Sequence, residues 1–292
     1  MYFCITTDKN DMYDGFKYKT GLNENVPNNS KLYCNKYICS EIKPNDIYIR
    51  YVILLPDTKS FMNCSFDIGQ NKYMLLYLKV SDKIYLSERY YLYDFRTIRK
   101  FNLVVSKKYL ETCCLYGALN VLERLQQSEI TLLNSADYIL DNISEKGYIN
   151  VLNWWVKSNL PVKYSEKALN LASSKGYIEV LEWWQKNCKE FKCSTYALLW
   201  GSHYGHINVL DWWFNSGISL TYSLKNVLFF ATIGGHLNVL KWWLKTTLNI
   251  YLKTGYLNPE LKFHETSFEY ASEKGNSQIV EWWTQLKPKD IS

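Results

Sequence analysis

A nine-residue pattern that begins with glycine and ends in two tryptophans recurs along the chain at a nearly constant spacing. Its copies read GYINVLNWW, GYIEVLEWW, GHINVLDWW, GHLNVLKWW and, more loosely, GNSQIVEWW. A sixth copy, GALNVLERL, precedes them and lacks the tryptophans. The glycines that begin the copies, here called the repeat glycines, stand 29 or 30 residues apart except for a last step of 40. Self-similarity at this period predicts a solenoid of stacked helical units.

A second shared element stands just before each repeat glycine. Seven residues upstream lies a leucine or phenylalanine, followed three and four residues later by mostly small or hydroxyl-bearing residues. Residues at this spacing share one face of a short inner helix. The glycine ends that helix in the left-handed conformation, and an outer helix follows. The repeat glycines of the five copies with tryptophan are Gly147, Gly176, Gly205, Gly235 and Gly275.

Ten of the eleven tryptophans lie in adjacent pairs on the predicted outer helices. Neighbouring residues of a helix point about 100° apart, so one narrow apolar stripe cannot hold both rings. An outer helix inside a stack packs on its own inner helix and on an outer helix at each side, so both rings can be buried. We therefore expect a structural role for the pairs, with an aromatic ligand cage as the alternative. The pairs are Trp154 and Trp155, Trp183 and Trp184, Trp212 and Trp213, Trp242 and Trp243, and Trp282 and Trp283.

The segment from Ala168 to Trp184, ALNLASSKGYIEVLEWW, resembles the ankyrin repeat. In that family the inner helix reads P-L-H-x-A-A and the outer helix follows G-H-L-E-V-V-K-L-L. The resemblance covers residues 103–292 and implies a mainly α fold, an ankyrin-like helical solenoid of about six repeats. No copy contains the Thr-Pro-Leu-His start, and the period is shorter than the family's usual length of about 33 residues. The shortening is expected in the hairpins between units, which favours the inner-helix groove as the contact surface.

The first hundred residues show no such repeat. Short runs of β-branched and aromatic residues alternate with turn residues there, which is typical of strands. We predict a small β-rich or α+β domain at residues 1–102, followed by the solenoid at 103–292. The predicted strands are Met1–Thr6, Ile47–Leu55, Tyr73–Val80 and Lys83–Tyr93.

Two segments of this amino-terminal region, Asp14–Asn23 and Ile47–Pro56, are similar to the head region of ankyrin-repeat proteins encoded by giant DNA viruses of amoebae. Those relatives continue with a G-G-L-Y-F-type strand, whereas this chain has SKLYC at Ser30–Cys34. The resemblance implies a multi-copy family of viral interaction proteins acting in the host cytoplasm.

Composition and charge limit the expected location and partners of the protein. No run approaches the length of about 18 apolar residues that a membrane span needs, and the amino-terminal residues lack the features of a signal peptide. We therefore expect a cytoplasmic monomer without a membrane partner, with its eight cysteines as thiols. The net charge of +6 is spread without a long basic block, which argues against nucleic acid. The nearest basic cluster, Arg96–Lys108, leaves nucleic-acid binding as a minor hypothesis.

The sequence contains few groups of residues suited to catalysis or metal binding. All four histidines lie in the repeats, so residues 1–102 have no imidazole for acid–base work. The pairs Cys34 with Cys39 and Cys188 with Cys193 each offer two thiolates, whereas a structural zinc site needs four ligands. We expect no catalytic residues, no metal and no cofactor.

The inner helices suggest a partner-binding surface instead. Six residues and two residues before the repeat glycine, most units carry polar side chains, which indicates an outward face. In the fourth and fifth units these become apolar beside further aromatic residues, which predicts an exposed apolar patch for a partner. The alternative is that the inner helices are rotated and these residues belong to the core. The predicted patch is Leu199, Trp200, Tyr204, Phe229, Phe230 and Ile233.

The sequence thus predicts a non-enzymatic adaptor that binds a protein through the inner-helix groove of its repeats, and the viral resemblance implies that this partner is a host protein. The alternative is an enzyme with its active site in residues 1–102 and the repeats as a substrate-recruiting arm.

Overall fold

A computed structural model gives the backbone of residues 2–6, 12–13, 16–17, 19–24, 33–34, 48–53, 62–63, 66–68, 71–73, 77–78, 83–188, 190–218, 221–256, 258–261 and 264–286. Within these ranges it gives the side chains of residues 19–20 and of those from 86 onward. The chain divides into two compact units, residues 1–136 with 154–161 and residues 137–153 with 162–292. The boundary predicted after residue 102 falls inside the first of these units.

The first unit begins with eleven short strands in its described part. They are β1 (Tyr2–Thr6), β2 (Met12–Tyr13), β3 (Phe16–Lys17), β4 (Gly21–Glu24), β5 (Tyr33–Cys34), β6 (Tyr48–Ile53), β7 (Met62–Asn63), β8 (Phe66–Ile68), β9 (Asn71–Tyr73), β10 (Tyr77–Leu78) and β11 (Lys83–Tyr91). Five form an antiparallel sheet of order β4-β11-β6-β1-β5, in which Tyr2 pairs with Val52 and Leu86 with both Val52 and Gly21. The others pair as hairpin-like ribbons, β2 with β3, β7 with β10 and β8 with β9.

The three longest strands, β1, β6 and β11, lie at predicted positions and are neighbours in that sheet. Of the predicted strand Tyr73–Val80, Tyr73 ends β9 and Tyr77–Leu78 form β10, and its other residues lie outside the described ones.

Helices follow from residue 95 onward. They are α1 (Phe95–Phe101), α2 (Lys107–Leu115), α3 (Leu119–Leu122), α4 (Gln127–Ile130), a 3-10 helix (Thr131–Ser135), α5 (Ile139–Glu145), α6 (Ile149–Lys157), α7 (Lys167–Lys175), α8 (Ile178–Asn187), α9 (Tyr196–His203), α10 (Ile207–Asn215), α11 (Leu224–Ile233), α12 (Leu237–Thr254), α13 (Glu265–Glu273) and α14 (Ser277–Gln285). In the second unit the inner helices pack in sequence, α5 on α7, α7 on α9, α9 on α11 and α11 on α13. The described chain is thus mainly helical, with the sequential helix packing expected of a solenoid.

Aromatic packing joins the end of β11 to α2 within the first unit. The Tyr93 ring stacks on Tyr109 and Tyr116 with centroid distances of 5.8 and 4.9 Å. The Tyr109 hydroxyl, which is buried, donates a hydrogen bond of 2.9 Å to the Leu92 carbonyl. The first helical hairpin therefore shares a core with the residues that follow the sheet.

Each inner helix of a repeat ends at its repeat glycine by the same hydrogen bonds. The six glycines, including Gly117, have φ between +65° and +80°. In the third repeat Gly176 N–H donates to Ser173 O at 3.3 Å, and Tyr177 N–H donates to Ala172 O at 3.0 Å. This is the Schellman arrangement, which satisfies carbonyls that a helix end leaves unpaired. The left-handed conformation is the reason that glycine stands at this position.

Close approach adds a second reason for glycine in the middle repeats. The residue after one repeat glycine lies over the repeat glycine of the preceding unit, as His236 does over Gly205. A Cβ on Gly205 would stand 2.6 Å from His236 Nδ1, and one on Gly176 would stand 2.9 Å from His206 Nδ1. A methyl group cannot fit at these distances unless the imidazole moves.

The second tryptophan of each pair is buried, with at most 2% of its surface exposed. In four repeats its indole N–H donates to a buried hydroxyl on the inner helix of the preceding repeat. The pairs of donor and acceptor are Trp184 with Ser144 (2.9 Å), Trp213 with Ser173 (3.0 Å), Trp243 with Ser202 (2.9 Å) and Trp283 with Thr232 (3.1 Å). Cys114, whose sulfur is a weak acceptor, holds the hydroxyl position before Trp155, and Trp155 donates to Pro161 O instead, at 3.1 Å.

The ring of the first tryptophan of each pair lies nearly perpendicular to the ring of the second, with angles of 78–89° between the two planes. Trp183 Nε1 donates to Asn153 Oδ1 at 2.7 Å, and Trp242 Nε1 donates to Asp211 Oδ1 at 2.8 Å, each on the preceding outer helix. Trp154, Trp183 and Trp282 are buried. Trp212 and Trp242 remain partly exposed, so the expectation that both rings are inside is met in only three pairs.

The ten extra residues before the last repeat lie within Thr246–Glu265, and the sequence alone predicts a long loop there; the structure corrects this, because the first part of that segment is helical. Helix α12 continues to Thr254, and Gly255, with φ of +71°, ends it. The sequence TTLNIYLKT contains no glycine or proline, and it places Thr247, one turn after Trp243, in a buried position. The helix therefore continues beyond the usual end of an outer helix.

We predict that the indole–hydroxyl bond between repeats stabilises the folded protein, and two matched serine positions test this. Ser202→Ala removes the acceptor of the buried Trp243 N–H and should lower the free energy of unfolding by about 1–3 kcal/mol. Ser272 is the equivalent hydroxyl of the last repeat and is exposed, so Ser272→Ala should change stability by no more than about 0.5 kcal/mol. Urea unfolding followed by tryptophan fluorescence measures both. Equal losses would show that the bond has no special weight.

Candidate functional site

In the second and third repeats the position six residues before the repeat glycine faces the next repeat, not solvent. Asp141 is buried there and accepts hydrogen bonds from Ser165 N–H at 2.9 Å and Ser165 Oγ at 2.5 Å, at the approach to α7. Asn170 is also buried, and its side-chain amide donates to Ser194 Oγ at 3.0 Å. Burial raises the pKa of Asp141, although the two hydrogen bonds from Ser165 oppose the shift. In these two repeats the polar residue therefore joins neighbouring repeats and does not mark an outward face, whereas Glu269, at the same position of the last repeat, is exposed.

Leu199 occupies the same position in the fourth repeat and is only 9% exposed. Its placement in an exposed patch is thus corrected: the residue belongs to the packing between repeats. It also lines a cavity of about 550 Å³ with Tyr222, Asn226 and Glu260.

Asp141 and Asn170 each bond a serine ahead of the next inner helix, and Leu199 cannot make such a bond. Glu260, from the segment after α12, makes it instead, with Ser223. Its carboxylate accepts hydrogen bonds from Ser223 Oγ and Lys225 N–H, each at 3.1 Å, at the start of α11. Burial raises the pKa of Glu260, but the hydrogen bonds from Lys225 and Ser223 outweigh it, and the pKa lies below the ordinary value. The insertion therefore supplies a cap that the preceding repeat lacks.

The other predicted aromatic residues are brought together on the inner helices. The Trp200 ring lies 6.0 Å from Tyr204 and 5.8 Å from Phe230, measured between centroids, and Phe230 lies 6.3 Å from Phe229. Tyr204 is 49% exposed, and Trp200, Phe229, Phe230 and Ile233 are partly exposed. The name ring cluster is used below for six residues: Trp200, Tyr204, Phe229, Phe230, His203 and Tyr270.

Two members of the ring cluster were missed by the sequence analysis. His203 lies 4.7 Å from Tyr204 and 6.1 Å from Phe230, and Tyr270 on α13 lies 6.5 Å from Phe229. A signal for Tyr270 was present, because Trp200, Phe230 and Tyr270 all stand five residues before a repeat glycine. The ring cluster thus spans the three consecutive inner helices α9, α11 and α13.

The imidazoles have structural contacts. His206 Nε2 lies 3.0 Å from Ser174 O, His203 Nδ1 lies 3.4 Å from Phe230 O, and the buried His264 has Nε2 2.9 Å from Glu260 O. Burial, followed by the nearby charge of His203, lowers the pKa of His236 below its ordinary value. His203 and His206 therefore link neighbouring repeats, whereas the His264 contact with Glu260 lies within the segment before α13.

The described residues offer little for metal chemistry. They contain no group of three or more histidine, cysteine or acidic side chains able to hold a metal ion. Cys188 and Cys193 are free thiols, and burial raises the pKa of each, which disfavours the thiolate that a metal would need. Cys39, of the other cysteine pair, lies outside the described residues.

Comparison with known proteins adds no relative. No protein-family model matches the sequence, and no curated protein matches it. Among the described residues, no helix is both long and apolar enough to cross a membrane.

We predict that Leu199 and Tyr204 respond differently to charge. Leu199→Asp places a carboxylate in the buried contact between repeats and should lower the free energy of unfolding by about 3 kcal/mol or more. Tyr204→Asp, at the exposed residue that directly follows the same helix, should cost about 1 kcal/mol or less. Chemical unfolding monitored by circular dichroism measures both. A stable Leu199→Asp protein would show that this residue faces solvent.

A second prediction concerns pH. Because the pKa of His236 is lower in the folded protein than its ordinary 6.5, the unfolded chain takes up its proton first as the pH falls. The contribution of the neutral His236 imidazole to the stability of the folded protein is therefore fully present above a pH of about 6.5 and is lost progressively below it. His236→Asn, which copies Asn276 at the equivalent position of the last repeat, should reduce the loss of stability between pH values of about 7.5 and 5.5. Urea midpoints at the two pH values test this, and an unchanged slope would contradict it.

Proposed function

We propose that this protein is a non-enzymatic adaptor that binds a partner protein through the inner-helix surface centred on the ring cluster. The observation that carries the proposal is the continuity of the cluster: partly exposed aromatic rings run from α9 across α11 to α13. Ile233, also partly exposed, adds an aliphatic side chain on α11.

The composition of the surface suits protein recognition. Tryptophan and tyrosine are enriched among residues that dominate binding energy, because each offers a large rigid area and a polar atom. Tyr204, at 49% exposure, and the partly exposed Trp200 provide this combination at the carboxyl-terminal end of α9. Lys274 adds a positive charge at the α13 end, with its Nζ 5.6 Å from the Tyr270 ring centroid.

The helical scaffold beneath the cluster supports the same proposal. Ala197, Leu198, Ala231 and Leu228 are buried under it, with at most 1% exposure. Side chains held on packed helices lose little further freedom on binding, which lowers the entropic cost of association.

The finer architecture belongs to the same proposal. We infer an ankyrin-like array of about six repeats following a β-containing amino-terminal region, as the period and the hairpins suggest. The resemblance to viral ankyrin-repeat proteins suggests a multi-copy viral family whose partner is a host protein in the cytoplasm.

The proposal is tested by quantitative capture from amoebal lysate, the host class that the resemblance implies. A Tyr204→Glu, Phe230→Glu double variant places charge in the ring cluster and should weaken binding of the captured partner by about 30-fold or more, the effect of losing a hot spot. The matched control is Tyr196→Glu, on the same helix, 51% exposed and outside the cluster.

The partner is then purified and titrated against all three proteins, after circular dichroism has shown that each is folded. Unchanged binding by the Tyr196→Glu control together with loss by the double variant supports the proposal. Equal capture and equal affinity by the wild type and the double variant would overturn it.

A further inference from the structure

The carboxyl-terminal half of α12 carries an exposed apolar stripe outside the ring cluster. Leu248 and Tyr251 are each 42% exposed, and Leu252 is 79% exposed. Leu244, one turn earlier, is partly exposed. Their spacing of four, seven and eight residues from Leu244 places them along one side of the helix. Exposed leucines clustered in this way are typical of interaction sites.

The stripe continues the side by which an outer helix contacts the next outer helix. The sixth residue after a repeat glycine marks that side, because Asn153 accepts from Trp183 and Asp211 accepts from Trp242. On α12 the sixth residue is Lys241. Leu244, Leu248 and Leu252 follow it at three, seven and eleven residues, spacings that keep the same side of a helix.

The next outer helix is too short to cover this surface. Helix α14 ends at Gln285, which corresponds to Lys245 of α12 when the repeats are aligned on Gly235 and Gly275. Leu248, Tyr251 and Leu252 all lie beyond that point, and their exposed fractions show that described residues leave them open to solvent. A helix-packing surface therefore extends about two turns past its own partner.

Charge indicates what kind of helix would complete the packing. Helix α12 carries Lys241, Lys245 and Lys253 and no aspartate or glutamate. A second copy of α12 would set lysines against lysines, which opposes self-pairing. A lipid surface is also less suited, because Trp243 is buried and Trp242 is bonded to Asp211, so neither tryptophan is presented at the stripe.

We propose that residues 244–252 of α12 form a docking surface for an acidic amphipathic helix of a partner protein. Its apolar side packs on Leu248, Tyr251 and Leu252, in the manner of one more outer helix, and its carboxylates lie near the exposed Lys241 and Lys245. This surface is separate from the ring cluster and does not depend on the function proposed there.

The test uses two synthetic helical peptides with the same leucine pattern, one with glutamate and one with lysine at the remaining positions. Fluorescence anisotropy with the full-length protein should show binding of the glutamate peptide, at least about tenfold weaker binding of the lysine peptide, and loss of affinity as salt rises. Equal binding of the two peptides, or no binding of either, would overturn the proposal.

Variants then locate the binding. A Leu248→Ser, Leu252→Ser double variant should weaken binding of the glutamate peptide by about tenfold or more. Leu132→Ser is the matched control, because Leu132 is 41% exposed in the 3-10 helix. Thermal unfolding by circular dichroism checks that both are folded. Unchanged binding by the double variant would overturn the proposal.

Two further measurements test whether a second copy of the protein or a lipid membrane occupies this surface instead. Sedimentation velocity would overturn the proposal if the wild type is a dimer and the leucine variant is a monomer. Co-sedimentation with phosphatidylserine vesicles would do so if the leucine variant loses vesicle binding but retains the glutamate peptide. The Tyr204→Glu, Phe230→Glu protein should bind the glutamate peptide as the wild type does, so failure at the ring cluster and failure at α12 are distinguishable.

Discussion

The packing of the repeats depends on one buried hydrogen bond, from the indole of the second tryptophan to a hydroxyl on the preceding inner helix. An indole N–H buried without an acceptor is costly, so the tryptophan fits in one position only. The hydroxyl is itself held in place, since Ser144 Oγ donates to Leu140 O and Thr232 Oγ1 donates to Leu228 O. Together these bonds set how far each outer helix lies along the inner helix before it. Where a cysteine replaces the hydroxyl, as at Cys114, the following tryptophan bonds elsewhere.

The two surfaces proposed for binding follow from that register. With successive inner helices aligned, residues five positions before the repeat glycine form a row, and Trp200, Phe230 and Tyr270 occupy it. Among the described residues, the same alignment leaves the end of α12 without a neighbouring outer helix, because α12 has 18 residues and α14 has nine. A regular scaffold thus turns local sequence changes into distinct surfaces. One is aromatic and lies on the inner helices, and the other is aliphatic and basic and lies on an outer helix.

The sequence predicted the inner and outer helices and the glycine turns because each rests on local rules: helical spacing of apolar residues and the left-handed conformation that glycine adopts at a helix end. Its errors concern residues whose surroundings come from another repeat. Polar Asp141 and Asn170 were interpreted as solvent-facing, although each bonds a serine ahead of the next inner helix. For the same reason the sequence places Leu199 in an exposed patch, although it is buried, and predicts a loop for residues that continue helix α12.

By itself the amino-acid sequence determined the periodic helical hairpins, their glycine turns and the aromatic character of the fourth and fifth inner helices, since period and composition are properties of the chain alone. Only the tertiary structure decided which aromatic rings meet and which leucines are covered. His203 and Tyr270 join the ring cluster, Leu199 is buried, and Leu252 is exposed, because each outcome depends on the neighbouring repeat. The physical reason is that burial and side-chain contact are set by non-local packing, whereas helix formation and termination are largely local.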